Sequence, residues 1–75
     1  MEETRSIDLS EQYRLDVRIV QYNGKSRIDL RLFNKNGHFY TKKGIIMNNP
    51  FVVEWLATQL LEIKKKMEGE LNGNT

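Results

Sequence analysis

The chain has no cysteine, one proline, one histidine and no long apolar run. The lack of cysteine excludes disulfides, thiolate nucleophiles and thiolate metal sites. With His38 alone, a multi-histidine zinc site is excluded as well. No stretch approaches the roughly 18 apolar residues of a membrane helix. Met1 to Ser10 hold Glu2, Glu3 and Asp8 and no apolar core, so no signal peptide is expected. The chain reads as intracellular, in cytoplasm or nucleoid, or in the nucleus of a eukaryote. No glycine-rich phosphate loop occurs, since Gly24, Gly37 and Gly44 stand apart. Domains below about 70–80 residues often depend on a metal, on disulfides or on a partner subunit. For a chain of 75 residues without cysteine, a partner subunit is the expected source of extra stability.

What is present is an uneven distribution of charge. The net charge is only +2. Residues 1–12 set Glu2, Glu3, Asp8 and Glu11 against Arg5 and carry −3. Residues 13–48 set eight basic residues (Arg14, Arg18, Lys25, Arg27, Arg31, Lys35, Lys42, Lys43) against Asp16 and Asp29 and carry +6. Residues 49–75 set Lys64, Lys65 and Lys66 against four glutamates and carry −1. A basic middle block favours a polyanionic partner.

Polar residues 1–12 read as a loose N-terminal arm or a weak edge strand. Tyr13 to Tyr22 alternates, with Tyr13, Leu15, Val17 and Ile19 on one face and Arg14, Asp16, Arg18, Val20 and Tyr22 on the other. Period two with β-branched and aromatic residues predicts a half-buried strand. Asn23-Gly24 suits the positive φ angles of a type I′ turn, so a hairpin follows. The return strand over 26–33 puts Ile28, Leu30 and Leu32 on its apolar face and Arg27, Asp29, Arg31 and Phe33 on its polar face. Asn34-Lys35-Asn36-Gly37 is a second turn signal. Short strands are predicted at 38–42 and 44–48. Asn49-Pro50 pairs a good N-cap with the residue best suited to the first helical position. A helix over 50–68 is predicted from Val52, Leu56, Leu60, Ile63 and Met67, with Gly69 as its stop and a disordered tail over 69–75. The fold class is α+β, a β-β-β-β-α chain with one domain over 13–68.

Phe51 and Trp55 share a flank of that helix, and Leu61 lies outside the main stripe. One sheet face does not readily cover so wide an apolar surface. A second subunit against Phe51, Trp55 and Leu61 is the preferred explanation; a stripe curled into the monomer's own sheet is the other.

Catalysis is not expected. Asp16 and Asp29 alternate with arginines, which reads as cross-strand pairing that fixes register rather than as paired carboxylates in a cleft. No metal or other cofactor is called for. The polar faces say more. Arg14, Arg18, Tyr22, Lys25, Arg27, Arg31 and Phe33, with Phe39, Tyr40, Lys42 and Lys43 beyond, interleave cations with rings. Cations track phosphates and rings accept unstacked bases. A solvated charged face with aromatics packed under a loop is the plain alternative.

The order Tyr22-Asn23-Gly24-Lys25, Ile28-Asp29-Leu30-Arg31, Lys42-Lys43-Gly44-Ile45 and Asn49-Pro50 resembles the single-stranded-DNA-binding domain of the positive cofactor 4 family (transcriptional coactivator p15). The resemblance covers about residues 13–65. It implies a curved four-stranded antiparallel sheet with a C-terminal helix, and a homodimer with helices at the interface. It implies a stacking role for Tyr22 and phosphate contacts for Lys25, Arg31, Lys42 and Lys43. A second stacking aromatic of the family aligns with Asn34, and the aromatic before it with Phe33. Phe39 or Tyr40 could stand in for the missing ring. A first-strand arginine aligns with Val20, with Arg18 two residues away on the same face. The serine-rich arm of eukaryotic coactivators is not found, which suits a minimal bacterial or viral member.

The sequence thus points to a homodimeric, largely sequence-independent single-stranded-DNA-binding protein of replication, recombination or transcription. The alternative is an interaction module or transcription regulator whose basic face binds an acidic protein segment. RNA is a further candidate ligand, and replication or transcription proteins are candidate partners.

Overall fold

The computed structural model describes residues 2–71. The chain order is β1 (Glu3–Asp8), β2 (Tyr13–Tyr22), β3 (Lys25–Asn34), β4 (Phe39–Met47) and α1 (Pro50–Leu71). The four antiparallel strands form one open, curved sheet in the order β1-β2-β3-β4. Every strand pairs with its neighbour in the chain, so short turns suffice.

The central hairpin follows its alternation. β2 and β3 pair from Tyr13↔Asn34 to Tyr22↔Lys25 without a break. Asn23 and Gly24 have φ of 52° and 77°. Positive angles at both positions match the right-handed twist of the flanking strands.

Of the two readings of residues 1–12, the loose arm does not hold throughout: Glu3–Asp8 is an edge strand paired with Arg14–Ile19 of β2. Its order comes from backbone pairing and from the turn that follows. There the Ser10 hydroxyl accepts the N–H groups of Gln12 and Tyr13 at 3.2 and 3.0 Å. The strands expected at 38–42 and 44–48 are one strand, β4. Between the pairs Phe33↔Tyr40 and Arg31↔Gly44 its register against β3 shifts, and a bulge absorbs the extra residues. Gly44 keeps the strand continuous: a Cβ built there would lie 2.6 Å from the carbonyl oxygen of Leu30. The glycine permits close approach rather than ending the strand.

α1 begins where Asn49-Pro50 places it. The Asn49 side-chain oxygen accepts the Phe51 N–H at 2.9 Å, and its carbonyl accepts those of Val52 and Val53. This is N-cap geometry. The helix does not stop at Gly69. It runs 22 residues to Leu71, so residues 69–71 of the expected tail are helical, and 72–75 lie outside the described residues. A glycine costs a helix about 1 kcal/mol, too little to end one this long.

The largest departure concerns burial. The apolar stripe Val52, Leu56, Leu60, Ile63, Met67 is wide enough to cover the sheet, but it does not. Instead Val52, Leu60, Ile63 and Met67 are exposed, and α1 approaches the sheet only at β4. The two-residue link after Met47 starts the helix at the sheet's end and carries it outward. Met47 is the buried apolar side chain among the described residues. The Cα radius of gyration is 15.1 Å, against about 11 Å for a compact chain of this length. An apolar groove of about 380 Å³ opens between the sheet and the first turn of α1, lined by Ile19, Ile28, Met47, Pro50 and Val53. No helix among the described residues is long and apolar enough to cross a membrane.

Candidate nucleic-acid interface

Strand alternation and the continuous β2–β3 register place Arg14, Asp16, Arg18, Val20 and Tyr22 on one face with Phe33, Arg31, Asp29, Arg27 and Lys25. β4 adds Tyr40 opposite Phe33 and Gly44 opposite Arg31.

The deepest side chains of the molecule lie on this face, and both are carboxylates. Asp16 is 0% and Asp29 3% exposed. Buried carboxylates need charge-assisted partners, and the arginines supply them. Arg14 donates Nε to Asp16 Oδ1 at 2.7 Å and Nη2 to Oδ2 at 2.9 Å. Tyr40 donates its hydroxyl to Asp16 Oδ2 at 2.6 Å. Arg18 donates to Asp29 from the directly opposite position on β2. Arg31 donates Nε to both Asp29 oxygens at 3.1 Å and Nη1 to the Thr41 carbonyl at 3.0 Å. The Arg14 guanidinium holds Asp16 down to about 2 against the pull of burial, with help from Tyr40 and Ser6. Burial acts to raise Asp29, but the hydrogen bonds from Arg18 and Arg31 prevail and hold it below the ordinary carboxylate value. The bond to Asp16, followed by burial, raises the Tyr40 phenol.

The same arginines lie on aromatic rings. The guanidinium carbon of Arg14 is 4.1 Å from the Phe33 ring centroid, that of Arg18 4.1 Å from Tyr40, and that of Arg27 4.3 Å from Tyr22. Phe33 and Tyr40 meet edge to face with centroids 5.0 Å apart. Each distance is within cation–π range.

The sequence candidates therefore divide. Arg14, Arg18, Arg31, Phe33 and Tyr40 form one connected array. Tyr22, Lys25 and Arg27 gather at the hairpin end of the same face. Lys42 and Lys43 are exposed on the irregular part of β4. Phe39 pairs with Asn34, so alternation puts it on the opposite face from Tyr40, and its ring sits against Gly37. Asn34, at the position of the family's second ring, serves the turn instead: its side-chain oxygen accepts the N–H groups of Asn36 and Gly37. No ion pair is formed by Lys25, Arg27, Lys42 or Lys43 among the described residues. Phe51, Trp55 and Leu61 are exposed on α1.

Sequence reasoning missed Asp16 and Asp29 as the organisers of the face, and Thr41 as an acceptor for Arg31. The signal was the alternation Arg-x-Asp-x-Arg and Asp-x-Arg on facing strands, where each carboxylate falls within reach of more than one guanidinium.

No curated protein and no solved structure matches the chain. The model of the family described as Transcriptional Coactivator p15 (PC4) matches residues 7–56, two thirds of the 75 residues. The matched span runs from the end of β1 through the hairpin, β4 and the N-cap to Leu56. With its antiparallel sheet and closing helix, the chain belongs to the Transcriptional Coactivator p15 (PC4) family of nucleic-acid-binding domains.

Proposed function

We propose that this chain is a homodimeric, largely sequence-independent single-stranded-DNA-binding protein serving replication, recombination or transcription. The observation that carries the reading is the array of guanidinium groups, Lys25 and rings on one sheet face, with Lys42 and Lys43 exposed on the adjoining β4. Single strands are held by cations along the backbone and flat groups against the bases. Asp16 and Asp29 match two of the three charges of Arg14, Arg18 and Arg31. The net charge for phosphates then comes from Lys25, Lys42 and Lys43 together with one unit from the network. Duplex recognition through the major groove calls for an inserted helix or ribbon, and the exposed flank of α1 is apolar rather than basic.

The homodimer is supported by what a single copy leaves uncovered. Phe51 is 79% and Trp55 63% exposed, and Leu61, Leu60, Ile63 and Ile45 are exposed with them. An apolar surface of this extent marks an association site, and a two-fold axis would bury it against its own equivalent.

The experiment is a titration of a labelled single strand against a duplex of the same sequence and an acidic peptide. The reading requires preference for the single strand and its displacement by any unlabelled single strand. Displacement by the acidic peptide alone would replace it with the protein-interaction reading.

A further inference from the structure

Three rings that could accept bases already carry an arginine. Arg14 covers Phe33, Arg18 covers Tyr40 and Arg27 covers Tyr22. On the covered side, an incoming base meets a guanidinium before it meets a ring. Two of these arginines are also fixed from the side. Arg14 is held by two bonds to Asp16, and Arg18 is bonded to Asp29. Tyr40 is held in turn by its hydroxyl on Asp16. With their charges matched by buried carboxylates, Arg14 and Arg18 have little net charge left for a phosphate. What they retain is a planar surface, and both side chains are partly open to solvent.

A guanidinium is flat, delocalised and weakly hydrated, so it stacks on an aromatic face in a way that an ammonium does not. Unpaired bases stack on arginine planes as well as on rings. We propose that the guanidinium planes of Arg14, Arg18 and Arg27 are the base-stacking platforms of this face. Phe33, Tyr40 and Tyr22 are positioning residues that back each plane, and Asp16 and Asp29 fix two of them edge-on. The lysines take the phosphates. This division of labour rests on the proposal that the face binds a single strand, and it specifies how.

The test exchanges charge-preserving variants. Arg27→Lys is the first, because Arg27 stands outside the aspartate network. Arg14→Lys/Arg18→Lys is the second, with circular dichroism as the check on folding. Each is titrated with oligothymidylate carrying one 2-aminopurine, whose fluorescence is quenched on stacking, at two salt concentrations. The expected result is binding weaker by about five-fold or more per platform, the lower end of what one base stack contributes. The salt dependence should stay that of the wild type, and quenching at saturation should fall. If the double variant does not fold, Arg27→Lys decides alone. Equal or tighter binding by Arg27→Lys, with quenching retained, would show that bases lie directly on the rings and would overturn the inference. A wild type that binds no single strand would overturn the functional reading instead.

Discussion

Tyr40, at the start of β4, donates its hydroxyl to Asp16 at 2.6 Å across a separation of 24 residues. The bond crosses β3, which lies between the two strands. It ties the most buried carboxylate of the molecule to a ring that also supports Arg18 and meets Phe33 edge-on. The polar face is thus held by a network that begins from a fully buried charge, while much of the apolar surface stays open. This inverts the usual layering of a half-buried sheet.

Asp16 should therefore be a stability residue. Asp16→Asn removes the charge that orients Arg14 and Tyr40, and it should cost about 1.5–3 kcal/mol, the range for hydrogen bonds to charged groups. The carboxyl is held down to about 2 in the folded chain, below an unfolded value of about 3.9. A depressed pKa stabilises above the unfolded value and loses that stabilisation as pH falls through the folded one. Asp29 shifts in the same direction. Thermal unfolding should accordingly lose stability from about pH 4 down to about pH 2. Asp16→Asn should be less stable at pH 7 and lose less over that window. An acid limb of equal steepness in the variant would separate Asp16 from the transition.

Binding should be strongly salt-dependent. Lys25, Lys42, Lys43 and one net charge from the arginine network give about four phosphate neutralisations per subunit and eight per dimer. The slope of log K against log salt should be about −6 for a single strand. Lys42→Ala/Lys43→Ala should reduce the steepness by about 3 and weaken all sequences alike, since phosphate contacts position without reading. A flat response would remove the electrostatic mechanism.

The hairpin and the helix start were legible because their signals are local. The alternation of Tyr13 to Phe33, the Asn23-Gly24 turn and the Asn49-Pro50 cap each act within a few residues. β1 was harder to see, because a polar edge strand is defined by its partner and not by its own side chains. β4 reads as two short strands, 38–42 and 44–48, because nothing local shows the bulge against β3 or the approach of Gly44 to Leu30. The helix stripe at Val52, Leu60 and Ile63 was legible as apolar, but periodicity reports only that a face is apolar, not what covers it. At the site, Arg-Asp alternation indicated ion pairs. It did not show that Arg14 would take Asp16 on its own strand, leaving Asp29 to Arg18 and Arg31.

The exposed flank of α1 makes its own prediction. Trp55→Glu should put charge into a two-fold apolar contact and shift the protein toward monomer. Strand affinity should fall with it, although Trp55 lies off the polar face, because two faces would no longer act together. Sedimentation equilibrium of the wild type should give twice 8.9 kDa at micromolar concentration. A folded, strand-binding wild type of 8.9 kDa would rule out the dimer.

The face that meets the strand can be read directly by NMR titration of the ¹⁵N-labelled protein, arginine side-chain Nε–H signals included, with a short oligothymidylate. Large shifts should gather at Arg14, Arg18, Arg27 and Arg31, at the Tyr22–Lys25 turn and at Lys42 and Lys43, with the middle of α1 little changed. Shifts concentrated on α1 and on the groove at Ile19, Ile28 and Met47, with the arginine signals unmoved, would contradict a single-strand site on the polar face.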